Sequence, residues 1–281
     1  MVETMSRDVA ALAGRVIGIT AERLTEQQIS YFQRRGADVR WAPVLRPIQA
    51  EDHAVLAAAT AQLLSQPVDL LIVQTGQGLD WWLSGADQRG DTQRLKDALQ
   101  HVKIICRGAN AARVVRRAGF EVGWKAPNES VEDILSYLRS IDLTSHRIAI
   151  VLDGSDDRRL ADTARTRGAT ALEIDVSRYR PPLDLQPALA LIDAILDHEV
   201  DVVTFTTSPA IRHFRRIADE HGTLGQLDHA FRTTCLAAVV DPACSTTAAE
   251  AGWLDMVEAP SAQLLPMLDA VTSTIGAAPP A

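Results

Sequence analysis

Val68-Asp-Leu-Leu-Ile-Val73 returns in the second half of the chain as Val200-Asp-Val-Val-Thr-Phe205. Each is a short, nearly unbroken apolar run, the pattern of a strand buried on both faces of a parallel sheet. The same offset links other places in the same order. Arg35-Gly36-Ala37 recurs as Arg167-Gly168-Ala169 at the spacing that separates Val68 from Val200. Ala118-Gly119-Phe120 recurs as Ala251-Gly252-Trp253, and Ala126-Pro127 as Ala259-Pro260, both one position further on. Ordered pairs at a nearly constant spacing mark a duplicated unit, too long to be a solenoid repeat. Each repeated glycine stands where a helical segment hands over to the next strand, a place that favours positive φ.

Working outward, the apolar runs predict strands at 16–19, 39–45, 68–73 and 102–106, then at 147–152, 170–176, 200–205 and 235–240. Segments of helical period lie between them. The expected fold is therefore α/β: two doubly wound parallel-sheet domains from an internal duplication, with a small-molecule site in the cleft between them. A length of 281 residues agrees with two domains of roughly 150. Hydrophobic residues make up 47% of the chain but aromatics only 5%, so the cores must be built mainly of Ala, Val, Leu and Ile.

The net charge of −8 argues against a nucleic-acid surface, which needs clustered Lys and Arg. Cys106, Cys235 and Cys244 are odd in number and lie in or beside apolar runs, which fits a reducing compartment rather than a disulfide framework. Met1 to Ala13 lacks a signal-peptide pattern and no apolar run reaches about 18 residues, so a cytoplasmic monomer with no membrane partner is expected. The Gly276–Ala281 end reads as a tail or the start of a linker.

Ligands of open parallel sheets bind beyond the carboxyl ends of strands, where free backbone N–H groups open the following helices. Four loops qualify. Gln74 leads into Thr75, Gly76, Gln77 and Gly78; Arg107, Gly108, Ala109 and Asn110 follow the next strand. In the second half the counterparts are Thr206, Thr207 and Ser208, and Asp241 with Pro242, Ala243, Cys244 and Ser245. All are small and polar, which suits carboxylate binding, although their hydroxyls and amides equally suit helix capping. Cys244 opens a helix, where its pKa can fall, yet burial as a structural thiol is the commoner state.

Other chemistries find little support. Gly76 and Gly78 are followed by Leu79-Asp-Trp-Trp82, without the third small residue of a dinucleotide fingerprint. Asp153-Gly-Ser-Asp-Asp157 resembles the start of a calcium loop but has Ala164 at the twelfth position, so a helix-capping turn is expected instead. The seven histidines form no metal spacing, and no nucleophile elbow occurs. No metal or cofactor is expected.

Asp175-Val-Ser-Arg-Tyr-Arg-Pro-Pro182 reads as an extended connector between domains, with Trp41-Ala-Pro-Val-Leu-Arg-Pro47 as its counterpart. Tyr179 is central to the first of these. It can project toward the cleft or pack at a domain edge with its hydroxyl in water.

In this order, Asp201-Val-Val-Thr-Phe-Thr-Thr-Ser208, Tyr179 in a V-x-x-Y connector, and Pro242 through Gly252 resemble the uroporphyrinogen-III synthase family over about residues 14–271. The resemblance implies two α/β domains, 1–44 with 181–281 and 49–176, joined by extended connectors at 45–48 and 177–180. It also implies a duplication swapped so that the first strand and helix belong with the C-terminal half. The implied substrate is a polycarboxylate tetrapyrrole, hydroxymethylbilane, closed with inversion of ring D and loss of water. Tyr179 matches the family's tyrosine and would donate a proton to the departing hydroxyl. Two loops depart from the family pattern, which has F-T-S where Gln74-Thr75-Gly76 stands and glycine where Asp241 stands. A carboxylate at 241 opposes an acidic substrate. The alternative is therefore a ligand-binding or regulatory domain, since similar domains occur joined to a C-terminal DNA-binding domain.

Overall fold

The computed structural model describes residues 11–22, 24–49, 53–155 and 157–276. Most of the N-terminal segment and the tail beyond Gly276, both read above, lie outside these. The chain divides into two compact units, one running to Arg46 and resuming at Arg180, the other Pro47–Tyr179.

In chain order the elements begin with β1 (Val16–Ile19), α1 (Thr25–Gln33), β2 (Asp38–Trp41), β3 (Arg46–Gln49), α2 (His53–Ser65) and β4 (Leu70–Val73). There follow α3 (Gly76–Gln88), α4 (Thr92–Leu99), β5 (Lys103–Cys106), α5 (Ala109–Arg117), β6 (Trp124–Lys125) and α6 (Val131–Ser140). The second half opens with β7 (Arg147–Val151), α7 (Arg159–Thr166), β8 (Thr170–Ile174), β9 (Ser177–Arg180) and α8 (Gln186–Leu196). It closes with β10 (Val202–Phe205), α9 (Ser208–Glu220), α10 (Leu224–Thr233), β11 (Leu236–Val239), α11 (Pro242–Glu250), β12 (Met256–Glu258) and α12 (Leu264–Gly276).

One parallel sheet has the order β12-β11-β10-β1-β2, the other β6-β5-β4-β7-β8, and β3 pairs with β9. Each five-stranded sheet thus takes strands from both halves of the sequence, with corresponding strands in corresponding places. Ile17 is level with Val202 where β1 meets β10, and Leu70 with Ile148 where β4 meets β7.

The apolar runs become strands because both faces of each sheet are covered. Leu71 and Val73 pack with Leu79 and Trp82 of α3 and Val115 of α5, whereas Leu70 and Ile72 pack with Ile134 of α6 and Leu160 of α7. A two-residue side-chain period sends neighbours to opposite faces. The other unit gathers most of the chain's few aromatics: Phe231 stacks on Trp253 at 3.9 Å, with Phe205 and Phe214 beside them. Trp253 keeps its indole N–H satisfied by Asp228, 2.9 Å away.

Gly36 and Gly168 both sit at φ +88°. Gly36 N–H donates to Gln33 O and Ala37 N–H to Phe32 O, and the same pair of bonds joins Gly168 to Arg165 and Ala169 to Ala164. This is the Schellman closure, whose left-handed residue carries no Cβ.

Several strands are up to two residues shorter than the runs read from the sequence, such as 70–73 for 68–73 and 170–174 for 170–176, and two places differ more. The 39–45 run is a strand only to Trp41, because Pro43 has no N–H to give, although Ala42 and Val44 still donate to Ile19 O and Thr20 O. The edge strands β6 and β12 are two and three residues long, too short to show a period.

Candidate functional site

All strands of each five-stranded sheet run parallel, so their following loops share one edge. In the Pro47–Tyr179 unit, α3 leaves β4 toward one face and α7 leaves β7 toward the other. The ends of β4 and β7 are therefore the place where the winding reverses, which in such sheets opens a crevice.

Thr75 caps α3, its Oγ1 accepting the Gly78 N–H at 3.0 Å. Gly76 and Gly78 are buried, and a Cβ on Gly76 would stand 2.8 Å from Val114 Cγ2 and 2.9 Å from Asn110 O. The glycine lets α3 begin against the start of α5. Gln77 is half-buried beside them and Gln74 is buried.

Arg107 reaches across this edge to Asp153, with Nη1 to Oδ2 2.9 Å, while Ser155 Oγ donates to Asp153 Oδ1 at 2.6 Å. Burial pushes the Asp153 carboxyl up, but the Arg107 guanidinium and the Ser155 hydrogen bonds outweigh it and hold the group below the usual carboxylate range. Where a helix-capping turn is expected, Asp157 Oδ1 accepts the N–H of Arg159, the first residue of α7, at 3.0 Å.

Gly108 caps α5 without a side chain, and Glu129 supplies the missing oxygen: Ala109 N–H donates to its Oε1 at 3.0 Å. Lys125 Nζ lies 3.6 Å from the same oxygen. Asn110 is exposed and accepts from Arg113 at 2.7 Å. Tyr179 is half-buried on β9. That strand starts beneath the β7 loop, since a Cβ on Gly154 would meet Ser177 Oγ at 2.8 Å. Arg178 is ion-paired with Asp175.

In the other unit Thr207 caps α9, its Oγ1 accepting the Ala210 N–H at 3.3 Å, and Thr206 and Ser208 are half-buried. Asp241 caps α11 by accepting the Cys244 N–H at 2.8 Å, and Ser245 Oγ donates to Asp241 O at 3.3 Å. Pro242 opens the helix on the surface, with Ala243 half-buried behind it. Cys244 is fully buried, and burial, reinforced by the Asp241 carboxylate, pushes its thiol well up. Of the two states read for this cysteine, the structure has the inert one. Ser208 Oγ lies 4.0 Å from Cys244 Sγ, so the 206–208 and 241–245 loops meet.

All four loops thus have a helix N–H accepted by an oxygen of the chain itself, from Thr75, Glu129, Thr207 or Asp241. Capping satisfies one of several free N–H groups at each helix start and leaves others for a ligand. The loop after β1, where Thr20 Oγ1 donates to Thr204 O at 2.7 Å, belongs to the same edge but was not among the loops read from the sequence. Its signal was the repeat spacing, which sets it against 153–157. Among the described residues no group of three or more His, Cys, Asp or Glu is placed to hold a metal ion, and no helix is long and apolar enough to cross a membrane.

A sequence model described as uroporphyrinogen-III synthase HemD matches residues 26–269. The chain is 22% identical over 244 residues to the uncharacterized protein YjjA of Bacillus subtilis, spanning 86% of this chain and 88% of that protein. Its fold is similar to that of a mutant uroporphyrinogen III synthase from Thermus thermophilus, with TM-score 0.70, 21% identity, and 93% and 98% of the two chains covered. The uroporphyrinogen-III synthetase of Helicobacter pylori is similar at TM-score 0.54 and 14% identity, covering 92% of this chain and 99% of that one.

Proposed function

Since the chain belongs to the uroporphyrinogen-III synthase HemD family, we propose that it closes hydroxymethylbilane to uroporphyrinogen III, inverting ring D and releasing water. The observation that carries this reading is the match over 26–269, which runs from α1 to α12 and through every candidate loop.

The chemistry asks little of the protein beyond control of conformation. The pyrrole nitrogen expels the hydroxyl, leaving an electrophilic azafulvene. Tyr179 donates the proton with which the hydroxyl departs as water. The substituted α-carbon of ring D attacks the azafulvene methylene, giving a spiro intermediate; its bond to the ring C methylene then breaks, leaving a second azafulvene on ring C. The free α-carbon of the turned ring D attacks that methylene and loses its proton, which closes the inverted macrocycle and restores the balance. Free N–H groups in the loops of each unit take substrate carboxylates.

A second reading, a ligand-binding domain that has lost the reaction, is favoured by the carboxylates of Glu129 and Asp241, which already occupy two helix starts. Incubating the full chain with hydroxymethylbilane and separating the type I and type III isomers tests the two. Type III product above the uncatalysed background supports the synthase. Type I alone, with the bilane bound, leaves the binding domain.

A further inference from the structure

Two tryptophans, Trp82 and Trp253, are fully buried, but Trp41 is 48% exposed at the carboxyl end of β2. It is level with Ile19, the last residue of β1, at the edge where ligand loops gather. Poor packing does not explain its exposure. The indole N–H donates to Ala21 O at 2.9 Å, so the ring is fixed over the loop after β1 with its polar atom satisfied and its face in water. Leu24, on the same loop, is 63% exposed.

A cation converges on the same segment. Arg46 Nε donates to Pro181 O at 3.2 Å; burial raises the Glu22 carboxyl, and the charge of Arg46 partly offsets that rise without an ion pair between them. Among the described residues no carboxylate is ion-paired with its guanidinium, unlike Arg107, Arg158, Arg159 and Arg178, each of which has a partner. A held aromatic face on Ala21 and a guanidinium that acts on the adjacent Glu22 without an ion pair match a flat ring that bears an acidic arm.

We propose that Trp41 and Arg46 form a subsite for one ring of the tetrapyrrole, the indole stacking on the pyrrole face and the guanidinium taking a carboxylate arm. The inference rests on the tetrapyrrole reading above and adds to it the residues that hold one ring.

The test is titration of the full chain with uroporphyrin III, followed by porphyrin absorbance and tryptophan quenching. Trp41→Ala is expected to weaken binding about tenfold, and Trp41→Phe to stay within about threefold while losing part of the quenching. Arg46→Gln is expected to weaken binding and flatten its salt dependence. Equal affinity in wild type and Trp41→Ala, or undiminished quenching in Trp41→Phe, overturns the subsite and leaves the tetrapyrrole reading standing. No binding by the wild-type chain overturns that reading and the subsite with it.

Discussion

Asp69 and Asp201 make the same hydrogen bond in the two units: Asp69 Oδ2 accepts the N–H of Arg147 at 2.7 Å, and Asp201 Oδ2 accepts the N–H of Val16 at 2.8 Å. Each carboxylate pins the first residue of a strand that comes from the opposite half of the sequence. Asp201 does more, because its Oδ1 also holds the buried Arg15 guanidinium at 2.7 Å. Asp201→Ala is therefore expected to cost about 2–3 kcal/mol and Asp69→Ala about 1 kcal/mol. Urea titration of both variants checks the order; equal losses would show that the Asp201–Arg15 contact adds nothing to stability.

Gly168 isolates the cost of backbone conformation. A Cβ there would lie 3.5 Å from Thr144 Cα, an ordinary contact, so the penalty of Gly168→Ala comes from its φ of +88°. The expected loss is about 1 kcal/mol. Gly168→Asn should lose less, because asparagine tolerates the left-handed region better. Thermal unfolding of the pair compares them directly.

These glycines show what was legible beforehand. The repeat, the apolar runs and the helix-ending glycines are local patterns, and all are present in the fold. Which half supplies which strand depends on register between segments far apart in the chain, and only the family resemblance implied the swap. At the site the loops were readable because they follow buried strands. Glu129 was not, because it caps α5 from well beyond that helix, with its own backbone at φ +59°. Trp41 was legible only as part of a connector; its hydrogen bond to Ala21 is a tertiary fact.

Asp153 gives the acid response of the Pro47–Tyr179 unit a definite sign. Its folded pKa lies below the unfolded value, so its contribution is present above about pH 4 and fades as pH falls through the folded value. Asp153→Asn should cost about 1–3 kcal/mol at pH 7, and the gap from wild type should shrink below about pH 4. Denaturant midpoints measured across that range follow it. A gap that widened on acidification would contradict the assignment.

Tyr179→Phe removes one hydroxyl from β9 and keeps the ring. If the tyrosine protonates the leaving group, type III product should form about 10²- to 10⁴-fold more slowly in a variant that remains folded. Undiminished turnover would take Tyr179 out of the mechanism.

The interleaved sheets also fix a timetable for synthesis. Residues 47–179 form a contiguous stretch that can close its own core as soon as it leaves the ribosome. Strand β1 has an interior place between β2 and β10, yet β10 begins only at Val202, far along the chain. At about 5–20 residues per second, that segment waits roughly ten seconds or more with an apolar edge exposed. β1 finds one neighbour, β2, at once and the other, β10, only much later, which makes that waiting edge the natural client of any chaperone that attends this protein.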